Sequence, residues 1–171
     1  SKKGRLWLWL YGYDPLYNSH DGVSSFGRKL IPAMDVYSTV TSLQTIKHHQ
    51  SIGYGASRVN NNTEGKIGIT FPFGYKEWIR RSLSWRWLPV MIDGEYYEIV
   101  WKVSMNYTSC ILQANQWSNK KSNQLAIGSK VHIISSQLSD KHTWYNYYDR
   151  IDALIYEIVG LDSSIKRIVI N

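Results

Sequence analysis

The chain has 171 residues, 43% of them apolar, which is enough for one domain of ordinary size with a sizeable core. Twenty Lys and Arg against 13 Asp and Glu give a net charge of +7. That charge suits a basic, water-facing surface or the attraction of small anions. The basic groups Lys2-Lys3-Gly4-Arg5, Arg80-Arg81, Arg86 and Lys120-Lys121 are scattered rather than gathered on one stretch, so no nucleic-acid partner is expected.

The single cysteine, Cys110, excludes an internal disulfide framework and a cysteine-rich metal site, and suits a reducing, cytoplasmic setting. No run of about 18 apolar residues is present, so no membrane helix is expected. The start, Ser1-Lys2-Lys3-Gly4, does not read as a signal peptide. It also lacks Met, which reads as a processed product or a piece of a longer protein. His48 and His49 are adjacent, and on a strand they would point to opposite faces, so no metal site is expected.

In chain order, Leu6 to Tyr11 alternates Leu with aromatics and reads as a strand buried on both faces. Tyr13 to Gly27 is a polar loop. Ala33 to Ile46 reads as one long strand, Ala56 to Gly65 as a turn, and Lys66 to Phe73 as the next strand. Val90-Met91-Ile92 and Tyr96 to Val103 flank Asp93-Gly94-Glu95, a strong hairpin signal. Tyr107 to Gln113, Lys130 to Ser135 and Ile165 to Ile170 are further strands, with a polar loop from Ala114 to Gln124. Trp144 to Val159 places Tyr148, Ile151, Leu154, Ile155 and Ile158 at three- and four-residue steps, the spacing of one helix that Gly160 can end. The expected fold is mostly β: an antiparallel, barrel- or sandwich-like domain with one main helix.

Chemistry is suggested by three tyrosines in short contexts: Tyr54 in Ile-Gly-Tyr-Gly, Tyr75 in Phe-Gly-Tyr-Lys-Glu and Tyr156 in Leu-Ile-Tyr-Glu. A tyrosine after a glycine at a strand end can act as an acid or base if a neighbouring cation lowers its ordinary pKa of about 10. The same residues read as packing groups if nothing further is known. Tyr54 and Tyr75 would then be sheet tyrosines, Tyr156 a helix tyrosine, Met105 a packing residue and Arg5 part of a solvated terminus.

Their order along the chain resembles the alanine racemase family, from the last strand of its N-terminal barrel through its C-terminal β-domain. The residues that carry the resemblance begin with Arg5-Leu6-Trp7-Leu8-Trp9-Leu10-Tyr11-Gly12-Tyr13-Asp14-Pro15 and Leu30-Ile31-Pro32-Ala33-Met34. They continue with Tyr54-Gly55, Pro72-Phe73-Gly74-Tyr75, Arg81, Leu83-Ser84, Ser104-Met105-Asn106, Gly128, Val131, Tyr156-Glu157 and the Ile165, Arg167, Ile168 end. The resemblance implies residues 1–15 as a remnant of the last barrel strand with its linker, and residues 16–171 as the β-domain.

It also implies a pyridoxal-phosphate enzyme that racemises alanine or another small amino acid by a two-base mechanism. A lysine on the barrel would carry the cofactor, and none is expected to bind covalently to this chain alone. Tyr54 would be the base on the opposite face. Arg5, Trp7, Leu8 and Tyr156 would line the cofactor, with Arg5 at the ring nitrogen and Tyr156 at the phosphate. Tyr75 and the Met105 main-chain N–H would line the substrate, and Arg81 and Lys102 would stand in the access corridor. The implied partner is a second copy or another chain that carries the barrel.

The chain departs from the pattern at Trp7, Trp78, Trp87 and Trp101, which occupy glycine positions, and at Glu77, Asn106, Ile155 and Lys166. A second reading is therefore a catalytically degenerate domain kept for protein contact.

Overall fold

The computed structural model describes residue 12 and residues 30–47, 50–53, 57–58, 65–77, 79–85, 87–112 and 125–137, with main chain alone at 57, 58, 87 and 98–101. The expected strands Leu6 to Tyr11 and Ile165 to Ile170, the loop Ala114 to Gln124 and the helix Trp144 to Val159 lie outside these residues.

The strands are β1 (Val36–Thr39), β2 (Ser42–Thr45), β3 (Ser51–Ile52), β4 (Ser57–Arg58), β5 (Ile67–Phe71), β6 (Trp87–Ile92), β7 (Glu95–Val103), β8 (Thr108–Leu112) and β9 (Lys130–Ile134). Two single 3-10 turns, Tyr75–Glu77 and Arg81–Leu83, separate β5 from β6. Seven strands form one antiparallel sheet in the order β1-β9-β6-β7-β8-β5-β2, and β3 pairs with β4 apart from it.

The expected strand from Ala33 to Ile46 is corrected to two four-residue strands, and the break between them closes the sheet. The Val40 N–H donates to the Ser129 carbonyl (2.9 Å) and the Val40 carbonyl accepts from the Gly128 N–H (2.8 Å). One residue later, the Thr41 N–H (2.8 Å) and hydroxyl (3.1 Å) both donate to the Thr70 carbonyl. The segment therefore leaves the β9 side and joins the β5 side, so the two ends of the strand order are one piece of chain. Closure removes the unpaired edges that an open sheet would expose.

The Asp93-Gly94 hairpin forms between β6 and β7 as expected. Both residues have positive φ, 47° and 86°, which a two-residue turn of this kind requires and which Asp-Gly tolerates. Pro89 lies beyond the short β6–β9 ladder, which is limited to Met91 and Ile92. A residue without an N–H could not extend that ladder. The expected turn from Ala56 to Gly65 contains β4, whose partner register Ser51↔Arg58 and Ile52↔Ser57 makes a small hairpin of β3 and β4.

Inward residues alternate along the strands. Ile67, Ile69 and Phe71, Leu88, Val90 and Ile92, Val103, Cys110 and Leu112, and Val131 and Ile133 fill the barrel. A second cluster, Ile46, Ile52 and Ile111, lies apart from this core. Its members seat the β3–β4 hairpin against the sheet at Gly68, where a side chain would meet Ile46 and Ile52 at 3.5 Å. Two-residue strands are not stable alone. Burying an isoleucine contributes about 1.5–3 kcal/mol, so Ile52 holds the hairpin in place.

Asp35, just before β1, pins the closing strand to β9. Its carboxylate meets His132 Nε2 at 2.8 Å and accepts from the Ser136 N–H (3.0 Å) and hydroxyl (2.8 Å). The His132 ring stacks on Tyr37 (4.3 Å between centroids), and the Lys130 ammonium lies 3.8 Å from the Tyr37 ring centre. Burial pushes the Asp35 carboxyl up, but the Ser136 and His132 hydrogen bonds outweigh it and hold the group below the ordinary carboxylate range.

The folded-state value thus lies below the unfolded value of about 3.9. The stabilisation is complete above that pH and is lost as pH falls through the folded value. The denaturant midpoint of the chain should fall on acidification below about pH 4, and Asp35→Asn should flatten that limb. At neutral pH the substitution should cost about 1 kcal/mol, because the group is partly exposed. Urea titrations between pH 3 and 7 measure both effects.

Candidate functional site

The candidate residues split into one group whose geometry can be described and one that lies outside the described residues. Arg5, Trp7, Leu8, Tyr54 and Tyr156 belong to the second group, as does Trp78, while Trp87 and Trp101 are described in main chain only. Tyr75, Met105, Arg81 and Lys102 belong to the first.

Tyr75 and Met105 come together because two loops at one end of the barrel interlock. The β7–β8 connection, Ser104 to Tyr107, is tied by the Ser104 N–H and hydroxyl, which both donate to the Tyr107 carbonyl (2.9 and 2.6 Å). The chain after β5 packs against this loop through Gly74. A Cβ there would lie 2.4 Å from the carbonyl oxygens of both Ser104 and Met105, closer than any side chain tolerates. With no side chain in the way, the Tyr75 N–H donates to the Ser104 carbonyl and the Lys76 N–H to the Met105 carbonyl, each at 2.9 Å. Glu77 closes the turn by accepting from the Gly74 N–H (2.8 Å). From beneath, the buried Thr108 hydroxyl donates to the Phe73 carbonyl.

The result is a rigid edge on which the Tyr75 ring is 46% exposed and Met105 is 50% exposed. The carbonyl of Met105 is committed to Lys76, whereas its N–H has no partner among the described residues. An aromatic hydroxyl and a main-chain donor on one exposed edge can hold a small polar ligand by one or two hydrogen bonds. Tyr97, by contrast, is buried in the barrel, and burial, then Glu95 and Asp93, push its hydroxyl above the ordinary tyrosine range. It is no acid–base candidate at neutral pH.

Lys102 occupies the outer face of β7, paired with Ser109 of β8. Gly53, the last described residue before Tyr54, lies against its stem: a Cβ at Gly53 would stand 2.8 Å from Lys102 Cγ and 3.7 Å from Ser109 Cβ. The Gly53 φ of +70° also suits glycine. The Lys102 ammonium lies 4.9 Å from the ring centre of Trp85.

Arg81 is exposed and opens the turn that leads to Ser84 and Trp85. That turn is anchored by buried Leu83 and by the Ser84 hydroxyl, which accepts from the Val103 N–H (3.1 Å). Sequence reasoning missed Trp85. It is 48% exposed and has φ +68°, a left-handed conformation that costs a bulky residue about 1–3 kcal/mol. An exposed cation–π contact returns only about 0.5–1 kcal/mol, so the anchors on Leu83 and Ser84 must carry the remainder. No local sequence signal marks a tryptophan with positive φ.

A closed antiparallel barrel with an exposed tyrosine edge at one end defines the class: a β-barrel domain whose loops interlock at that end. Residues 33–169 match the family described as alanine racemase, C-terminal domain, and the chain belongs to that family. It is 29% identical over 166 residues to alanine racemase of Ligilactobacillus salivarius, covering 96% of this chain and 40% of that enzyme. The chain thus spans well under half the length of the curated relatives it matches.

In fold it is similar to the biosynthetic alanine racemase of Pseudomonas aeruginosa, with a TM-score of 0.68 at 21% identity over 92% of this chain and 39% of that one. It is likewise similar to histidine racemase from Leuconostoc mesenteroides, with a TM-score of 0.66 at 20% identity over 88% of this chain and 39% of that one. Among the described residues no helix is long and apolar enough to cross a membrane, and no three His, Cys, Asp or Glu side chains gather as metal ligands.

The interlocked loops are sensitive to one methyl group. Gly74→Ala should destabilise the chain by about 2–3 kcal/mol, because both obstructing atoms are main-chain oxygens. Gly65→Ala, where φ is +77° and nothing lies within 4 Å, should cost only about 1–2 kcal/mol. Denaturant midpoints of the two variants compare them directly.

Proposed function

We propose that this chain supplies the substrate-facing half of the active site of a pyridoxal-phosphate-dependent racemase of a small amino acid, with residues 1–15 belonging to the barrel and residues 16–171 to the β-domain. The observation that carries this reading is the edge built by Gly74 on the Ser104–Met105 peptide, within a chain of the alanine racemase C-terminal family. The edge presents a tyrosine together with a main-chain N–H that has no partner among the described residues.

Pyridoxal phosphate, when bound, supplies an electron sink for the charge left at the substrate α-carbon. Its attachment requires a lysine kept neutral by desolvation. None of the described lysines, Lys47, Lys66, Lys76, Lys102 and Lys130, is buried, so the described surface fits the substrate side and not the cofactor anchor. That anchor is assigned to a barrel, on the same polypeptide or on a partner, and the cofactor-lining roles to Arg5, Trp7, Leu8 and Tyr156.

The roles of this chain's own residues follow. Tyr54 moves the α-proton on the face opposite the barrel lysine. Tyr75 and the Met105 N–H hold the substrate carboxylate by hydrogen bonds. Arg81 and Lys102 attract that carboxylate on approach. The partner is a second copy or another chain with a barrel, arranged so that this edge meets the barrel's site.

In the enzyme that contains both barrel and β-domain, Tyr54→Phe should leave the fold intact and lower racemisation about 10²–10⁴-fold, mainly in turnover. Proton exchange from the two enantiomers should become unequal, since one face alone loses its base. Racemisation near the unaltered rate in Tyr54→Phe would overturn the assignment. Coupled assays in both directions, with deuterium exchange, make the measurement.

A further inference from the structure

Trp85 is the one described aromatic residue held at positive φ, and it keeps that costly conformation while presenting its ring to Lys102. Lys102 is constrained at both ends. The Gly53 main chain lies beside its stem, close enough that a Cβ there would meet Cγ at 2.8 Å, and the Trp85 ring takes its ammonium at 4.9 Å. A lysine side chain is otherwise a flexible, strongly hydrated point charge that loses much rotamer freedom when it binds an anion. Here the two contacts restrict that freedom before any anion arrives.

An aromatic face occupies only one side of an ammonium, and its remaining N–H groups point elsewhere. Among the described residues no carboxylate pairs with Lys102. The charge is therefore fixed in place and not neutralised by the surroundings described. Its position is set from Gly53, which directly follows β3 and precedes Tyr54, and from the turn that follows Arg81.

We propose that Trp85 is a positioning residue that fixes Lys102 as a pre-organised cation for the carboxylate of an incoming amino acid. For the identity of the ligand as substrate, this rests on the racemase reading above. The carboxylate site itself rests on the two contacts of Lys102. Pre-organisation raises affinity by removing an ordering cost from the binding step. Loss of the ring should therefore weaken carboxylate binding without touching any group that moves a proton.

Trp85→Gly makes a clean test, because it relieves the left-handed strain at a position where φ is +68°. The full chain is reductively methylated with ¹³C on its lysines, and the Lys102 signal is assigned from Lys102→Arg. L-alanine and L-alaninamide, which lacks the carboxylate, are then titrated.

In the unaltered chain the Lys102 signal should lie upfield from the Trp85 ring current and should move with L-alanine but not with L-alaninamide. In Trp85→Gly the signal should move to the position of exposed lysines. The apparent affinity for L-alanine should fall roughly 2- to 5-fold, the worth of one exposed cation–π contact. Trp85→Phe should restore part of both, and the denaturant midpoint of Trp85→Gly should not fall. An unchanged L-alanine titration in Trp85→Gly, an unmoved Lys102 signal, or an equal response to L-alaninamide would overturn the proposal.

The two readings separate cleanly. If racemisation is independent of Tyr54 while L-alanine still binds Lys102 through Trp85, the catalytic reading falls and the carboxylate site stands. If Tyr54 is essential but Trp85→Gly leaves L-alanine binding unchanged, the positioning role alone falls.

Discussion

The handover at Val40 and Thr41 is the constraint on which the rest of the fold depends. One residue bonds to the β9 side and the next to the β5 side. Without that exchange, β1 and β2 would be two free edges of an open seven-stranded sheet, and the inward residues of β5 and β9 would face water. Closure converts a chain of local hairpins into an enclosed core, and Asp35, bonded to His132 of β9 and to Ser136 beyond it, secures β1 where it begins.

Closure also decides where the Tyr75–Met105 edge can form. The chain after β5 and the β7–β8 connection emerge at the same end of the barrel because β5 and β7 flank β8. Their approach is close enough that only glycine fits at position 74. The edge is therefore main chain packed on main chain, with the Thr108 hydroxyl beneath it. Such an arrangement holds an exposed tyrosine more firmly than side-chain packing alone.

A second layer is built on the outside of the same strands. Ile46, Ile52 and Ile111 form a small core separate from the barrel interior, and it seats the hairpin of β3 and β4. Through Gly53 that hairpin reaches the outer-face residues Lys102 and Ser109. Residues far apart in sequence, Gly53, Trp85 and Lys102, thus meet on one face because the barrel carries two loops to the same strand.

The sequence by itself determined the class of fold and several of its elements. Alternating β-branched residues, Asp93-Gly94 at positive φ and the ordered glycine–tyrosine contexts are local signals, readable because strand period and turn chemistry act over a few residues. The same contexts, taken in order, marked the family. Ala33 to Ile46 shows where local reading stops. Its Val, Tyr, Thr, Leu and Ile residues read as one strand, and nothing in them reveals that Val40 and Thr41 bond to different neighbours.

The meeting of Gly74 with the Ser104–Met105 peptide, the outer core that seats Gly53, and the left-handed Trp85 over Lys102 were decided by tertiary structure alone. Each is a contact between segments separated by many residues. Its energy depends on where the closed barrel places them, a quantity no local pattern encodes.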